Sequence, residues 1–599
     1  MFIGIACVQS AFGQESVSVG FNSPGPNSYV TNSFPISVGT TSTYELQGVQ
    51  IVYDGQTNDL SFNGLLWVGT LSFTNVPFGN VTLTAIATDV FGVSGQKTET
   101  VIHDNPPTLS VTLPVNGTVA RPGLDISAIS ADDGPAGSHL SIYVESAAED
   151  TGGPLLVSAT NSLTTNSSLA AYDGELRYLR FEARDSANQY LWQFHQFYVQ
   201  SSTNFVEVAK VSEGIIVDVN SDRLLFFENE PGGGYLKVYS RTNGAESVVN
   251  TNLEVFGGGF LAPEGAVSVL NSTVRLDQAP FTGQTPQVYS TGQSESLSSQ
   301  GNYAAWALGR SGGYYPTLGL INLTTGASQV ITNLGDGPSA AFQFDVAANG
   351  DVVYSTEDSS LHGTAIYRYR SGTSTLLASD GNTVDTPKTD GTNVFYIETT
   401  STNQMLVLLN GAGKSVVAQA ASIGADYLVR NGWVAYEQTG GGQAQIWRRA
   451  PNGVTTQITF FGTSSTLAAL NPLGEIFFYN GSELYFGKVG TQPAAIATQS
   501  PGLGLYFYWL DGRWYGALGR SLFQVYTGVP SIALPHISSN MFNLDLVGAV
   551  GQRIVTQTSV NGSTWTDILT NQIADGTNMT VQLPMDTNSP ARFYRIHSQ

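Results

Sequence analysis

A unit of about 41 residues recurs eight times between Phe205 and Leu534. Each unit has an apolar run, a turn and a second apolar run. The turns fall at Asp222, Gly265, Gly301, Gly350, Gly391, Gly432, Gly474 and Gly512; Gly391-Thr-Asn-Val-Phe-Tyr and Gly474-Glu-Ile-Phe-Phe-Tyr show the pattern at its clearest. A third run follows, such as Ala365-Ile-Tyr-Arg-Tyr or Gln445-Ile-Trp-Arg-Arg. After a Gly-bearing turn comes a short fourth, such as Thr375-Leu-Leu or, in the last unit, Ser531-Ile-Ala-Leu. Four strands of four to six residues per unit make one blade of a β-propeller. Residues 205–534 are therefore expected to form a closed ring of eight blades, all in one strand order with no blade split between its ends. Unit two is poorly patterned and could be an insertion, which leaves seven blades as the alternative.

These repeats resemble the TolB-like and WD40-like propellers. The Pro-Asp-Gly turn of the TolB-like repeats is kept only in part, as Asp390-Gly391 and Asp511-Gly512. The resemblance implies an architecture and no particular chemistry, because propellers host many unrelated functions.

At 599 residues the chain is too long for one core, and no long stretch has a 3.6-residue apolar period. The whole chain reads as all-β. Charged residues make up only 12%, and the net charge is −22. Such a surface repels phosphates and anionic lipid, so no nucleic-acid partner is expected. No run reaches 18 apolar residues, so no membrane span is expected either. The segment Phe2 to Gly13 is apolar and ends Ala11-Phe12-Gly13, a pattern similar to a secretory signal peptide that lacks its basic start, which would span residues 1–15. Cys7, the only cysteine, would leave with it, and the mature chain would hold no disulfide and no thiolate metal site. The expected location is secreted, extracellular or at a bacterial cell surface.

Two related segments precede the repeats. The first closes with Gly79-Asn-Val-Thr-Leu-Thr-Ala-Ile-Ala-Thr-Asp89, the second with Leu179-Arg-Phe-Glu-Ala-Arg-Asp185. With Val76-Pro-Phe-Gly-Asn-Val81 and Ile129-Ser-Ala-Asp-Asp-Gly134, these phrases resemble the bacterial Ig-like domains repeated in secreted and surface proteins. The resemblance implies β-sandwiches at 16–104 and 105–201, serving as spacers or adhesive modules and folding independently. Asn105-Pro-Pro107 marks the boundary. Residues 538–599 carry short strands, a Thr558–Trp565 hairpin and a terminal Phe593-Tyr-Arg. They resemble a small C-terminal β-sandwich found on large secreted proteins of environmental bacteria, whose role there is attachment or sorting. The hairpin is similar to an Asp box, with Val560 where the aspartate belongs.

Chemistry is sparse. Of six histidines only His362 falls inside a repeat, too few for the metal-bound clusters of uronate lyases. No nucleophile elbow or phosphate loop is present. Glu228, Glu357, Glu398 and Glu437 end the second strands of units one, four, five and six, so they are expected to rim one face of the ring. Such a rim could take calcium or work on a glycosidic bond; as plain strand ends, the same residues would only solvate loops. Tyr235, Arg310, Tyr314 and Tyr315 are placed on the same face, as platforms for sugar rings or protein partners or as packing between blades. Three readings follow. The first is a binding or adhesion protein that presents a propeller to a polysaccharide or surface protein. The second is a polysaccharide lyase or hydrolase, and the third an envelope or surface-layer scaffold. Lacking a second catalytic group beside the glutamates, the sequence leans away from an enzyme.

Overall fold

The computed structural model describes residues 16–121, 123–133, 137–230, 233–253, 256–263, 265–270, 273–278, 286–289, 294–308, 317–333, 343–358, 363–379, 382–502, 504–527, 531–538, 541–547, 553–572, 578–584 and 592–598. Strands account for nearly all of its regular structure; the one helical turn among the described residues is Ala170–Tyr172. No helix there is long and apolar enough to cross a membrane. The chain forms two compact units. The first holds Met1–Pro114, Asp125–Asn166 and Tyr178–His195; the second holds Val115–Leu124, Ser167–Arg177 and Gln196–Gln599.

Two β-sandwiches of the same topology come first. In one, a sheet of Val17–Ser23, Ser33–Ser42, Trp67–Ser72 and Ser61–Phe62 accompanies a five-stranded sheet. That second sheet runs Tyr29–Val30, Ser94–His103, Gly79–Asp89, Leu46–Tyr53, Gln56–Asp59. In Gly79–Asp89, Val81, Leu83, Ala85 and Ala87 turn inward, while Thr82 and Thr84 turn outward; this period-two alternation builds a core with Phe34, Tyr53 and Phe73. The next sandwich repeats the plan with Thr108–Leu113, Gly123–Ala131 and Ser162–Ser168 in one sheet. Its partner sheet runs Thr118–Ala120, Tyr190–Val199, Leu176–Arg184, His139–Glu145, Leu155–Thr160. Both copies begin the larger sheet with a short strand that pairs in parallel with the last one.

The propeller occupies Phe205 to Val525, in eight antiparallel sheets among the described residues. Blade one is Ile215–Val219, Arg223–Glu230, Gly233–Ser240 and Glu246–Leu253. Blades two to seven begin at Phe256, Ser294, Phe344, Thr383, Ser422 and Ser465, and blade six has an extra short strand, Leu428–Arg430. Each neighbouring pair of blades shares one apolar cluster. Between blades five and six, for example, Phe395, Ile397, Leu406 and Leu408 meet Tyr427, Val434 and Tyr436. A cluster of Ile216, Leu224 and Phe226 with Tyr515, Ala517 and Leu522 joins the last blade to the first and closes the ring.

The closure differs from the sequence expectation. Blade eight takes Tyr506–Leu510, Arg513–Leu518 and Ser521–Val525 from the end of the repeats, and its outer strand is Phe205–Lys210 from their start. It is therefore a split blade. Ser531–Ser538, the expected fourth strand of unit eight, pairs instead with Met541–Val547 in the C-terminal sandwich. A strand that pairs antiparallel with Ser521–Val525 satisfies the same backbone groups wherever it lies in sequence, and spacing alone cannot tell the two apart. The C-terminal sandwich thus begins at Ser531. Its sheets are Ser531–Ser538, Met541–Val547, Asn578–Pro584 and Thr566–Gln572, Arg553–Ser559, Phe593–Ser598, around Leu544, Leu546, Ile554, Val581 and Leu583.

The second sandwich does not end cleanly before the ring. Within the second unit, Val119 and Tyr198 are buried in one cluster with Phe477, Trp514 and Phe523 of blades seven and eight. Ser202 Oγ donates to Ile496 O at 2.6 Å, and Ser500 N donates to Gly174 O at 3.1 Å.

Candidate functional site on the propeller

The first strands of consecutive blades touch one another along most of the ring, so they line its axis. A cleft of about 440 Å³ opens there, lined by Leu297 and Ser298 of blade three, Gln343 and Phe344 at blade four, Thr386, Pro387 and Lys388 of blade five, and Ala425 and Asp426 at blade six. Its wall combines apolar surface with amide, hydroxyl, ammonium and carboxylate groups, as small-ligand sites do.

The centre of this wall is a bulge. In the blade-five strand Thr383–Thr389, Asp385 pairs with Ile397 and Lys388 with Phe395, so Thr386 and Pro387 oppose a single residue. Proline has no N–H for the ladder and fits a strand only where pairing lapses. Thr386 has φ +47°, in the left-handed region that a β-branched side chain adopts only under constraint. Both neighbouring blades supply the constraint. Thr386 N donates to Gln343 Oε1, Thr389 N donates to Asp345 Oδ2 at 2.9 Å, and the fully buried Tyr427 hydroxyl donates to Thr386 O at 2.5 Å.

Electrostatics around the bulge are set by burial. It pushes the carboxyl of Asp345 up, although Lys388 and Arg430 pull it down. Burial also raises Asp385 against its bond to the Thr386 hydroxyl, and lifts Tyr427 well above the ordinary phenol range, with Asp345 and Asp385 adding to the effect. Lys388 thus stands near a carboxyl, that of Asp345, which its surroundings hold up.

The glutamates named from sequence do sit in equivalent registers, each facing the start of the third strand: Glu228 opposite Tyr235, Glu357 opposite Thr364, Glu398 opposite Met405 and Glu437 opposite Ile446. Three of the side chains are described, and they are engaged within the fold. Glu228 is buried and paired with Lys237. Glu398 is buried, 2.9 Å from Lys414 Nζ and 2.8 Å from the Asn382 amide that donates to it. Glu437 Oε1 accepts the Leu467 N–H of the next blade at 2.8 Å; burial pushes its carboxyl up, and Asp426 adds to this. Tyr235 is half-buried, with the Lys237 ammonium 5.4 Å from its ring centre. The Glu357 side chain, Arg310, Tyr314, Tyr315 and His362 lie outside the described residues. Gln343, Thr386, Lys388 and Asp426 were missed because they stand on or beside first strands, where the repeat is least regular. The readable signal was Pro387 inside an otherwise strand-like run.

No protein-family profile and no curated protein matches the chain. Among solved structures it is similar to a prolyl endopeptidase (12% identity, TM-score 0.37, 55% of this chain and 53% of that one). It is also similar to TolB from Acinetobacter baumannii (10% identity, TM-score 0.25, 63% and 75%) and to the fibronectin(III)-like modules of Clostridium thermocellum CbhA (15% identity, TM-score 0.19, 30% and 93%). The chain spans about half of the endopeptidase. At these scores the likenesses carry no argument about function; strand pairing defines the chain as an all-β, propeller-bearing protein.

Proposed function

We propose that this is a secreted or cell-surface binding protein whose propeller serves as a recognition platform, with the cleft at blades three to six receiving a neutral, polar segment of a glycan or of a protein. The carrying observation is the strained Thr386 bulge, held from both sides and opening on that cleft: strain of this kind persists where a surface is pre-shaped for a partner. A hydrolase or lyase reading would need free acid and base groups, and Glu228, Glu398 and Glu437 are each committed to an internal partner. The sandwiches then act as spacers, in keeping with the Ig-like resemblance, and the apolar N-terminal segment supports export.

Calorimetry of the whole chain against neutral and acidic polysaccharides and against extended peptides tests this. Binding by one class is expected, with Lys388→Ala and Asp426→Asn each weakening it about tenfold, the scale of one lost polar contact. A ligand whose affinity is unchanged by both substitutions would move the site elsewhere. Turnover of any of the polysaccharides would replace binding by catalysis.

A further inference from the structure

Three carboxylates converge in the first compact unit. Asp104 follows the strand Ser94–His103, Asp132 follows Gly123–Ala131 and Asp185 follows Leu176–Arg184. One oxygen from each lies within 4.8 Å of the other two. That spread matches oxygens around one calcium ion, where ligands at about 2.4 Å stand at most about 5 Å apart.

Asp185 makes this more than an acidic surface. The residue is 6% exposed. Its Oδ1 accepts the Gln189 N–H at 2.8 Å, while Oδ2 is buried with no hydrogen-bond partner. A buried carboxylate oxygen left without a donor is unfavourable, and its presence in a fold calls for the partner that satisfies it. The first sandwich offers an internal comparison. Asp89 ends the matching strand there, and its Oδ1 accepts two N–H groups, from Phe91 and Val93, both at 2.9 Å. Asp185 receives only the second of these, from the residue four places on, although the two turns are otherwise bonded alike. Burial also raises the Asp104 carboxyl, and Asp185, Asp132 and Asp133 push it further, against a bond from Gln189. Like charges gathered this closely are stabilised by a cation.

We propose that Asp104, Asp132 and Asp185 bind a calcium ion where the two sandwiches join. The donors are all hard oxygens on loop residues, which suits calcium's flexible coordination of six to eight ligands; magnesium demands a tighter octahedron. Water and backbone carbonyls would complete the shell. The ion would tie the linker residue Asp104 to two loops of the following sandwich, adding to the bridge in which Asn105 accepts the Asn32 N–H at 3.1 Å and donates to Asp133 at 2.8 Å.

The experiment uses the whole chain stripped of metal with a chelator and titrated with calcium by calorimetry, with terbium luminescence as a second readout. One site is expected, with a dissociation constant between about 10 µM and 1 mM, the range of extracellular calcium modules and weak sensors. Asp185→Asn should weaken it at least tenfold. Asp132→Asn, on a more exposed loop, should do the same and guards against a folding defect in the first variant, with circular dichroism checking both. Glu228→Gln should bind as the parent does. Absence of binding at about 5 mM calcium, well above that range, would overturn the proposal, as would binding unchanged in both aspartate variants. Equal affinity for magnesium would overturn the assignment to calcium.

Discussion

Asp218 lies on the first strand of blade one, and its carboxylate accepts the Leu261 N–H of blade two at 2.6 Å. The residue as a whole keeps some exposure, but its carboxyl is enclosed by protein, and burial pushes it up to about 7 despite that bond. A raised carboxylate pKa means that the folded chain holds a proton which the unfolded chain has lost. Stability therefore falls as pH rises from about 4, the ordinary carboxylate value, to about 7, and stays level above it. The full shift corresponds to about 4 kcal/mol, and allowance for partial solvent screening brings it to about 2 kcal/mol. Asp218→Asn keeps an oxygen for Leu261 and carries no charge to bury. Its denaturant midpoint should match the parent near pH 4 and exceed it by an amount that grows to pH 7. A parent that gains stability over that range would refute the assignment. Thr386 makes a similar point by backbone rather than charge. Thr386→Gly should relieve a left-handed strain of about 1 kcal/mol, partly offset by glycine's greater freedom when unfolded, so the folding midpoint should stay near the parent's while ligand affinity falls.

Ring closure depends on one strand brought from elsewhere in sequence. Phe205 is 1% exposed and meets Phe523 edge-on, with ring centres 6.0 Å apart. Phe205→Ala should cost about 3–5 kcal/mol in the propeller transition, as large-to-small changes in cores do. A chain beginning at residue 211 should expose the edge of Ser521–Val525 and associate on size-exclusion chromatography. Normal melting of the alanine variant would mean that the split blade is not what holds the ring. The same strand shows what was legible in the sequence. The repeat was readable because its turns obey local rules. Gly350 and Gly474 have φ +83° and +80°, and a Cβ on either would meet the Tyr303 or Trp433 ring of the preceding blade within 3.0 Å. Arg368 and Arg448 recur at matching places on third strands and donate to the carbonyls of Gly391 and Gly474 in the next blade. Such constraints repeat with the period. Closure does not, because it is made once, by residues 311 to 320 positions apart. The cleft was hidden for a related reason: its residues come from four blades, and each looks ordinary in its own unit. Equivalent spacing found the glutamates, but it could not show that Lys237, Lys414 and Asn382 occupy them.

At the scale of the whole molecule, the sequence boundary near residue 201 crosses a packed interior. Gly117, at φ +76°, brings its carbonyl to Arg520 N at 3.1 Å, and Gly174, at φ +78°, does the same with Ser500 N at 3.1 Å. Arg121 donates to Ser202 O at 2.8 Å and lies 5.1 Å from the Phe523 ring centre. Gln200 Nε2 donates to Gln499 Oε1 at 3.2 Å. Val119 and Tyr198 are at most 8% exposed inside the cluster of blades seven and eight. Exposing two such side chains costs about 3–6 kcal/mol, a large part of the 5–15 kcal/mol that keeps a typical domain folded. The first sandwich is different, since Phe34, Tyr53, Phe73, Leu83 and Val101 form a core drawn wholly from residues 30–101. A fragment of residues 16–104 should therefore melt cooperatively by itself. A fragment of residues 105–201 should lack a sharp transition and bind an apolar dye, whereas residues 105–527 should restore a cooperative melt. Circular dichroism and dye fluorescence on the three fragments decide it. A cooperative, dye-free melt of 105–201 would show that the second sandwich is self-sufficient and that the contacts of Val119, Tyr198 and Arg121 only dock it.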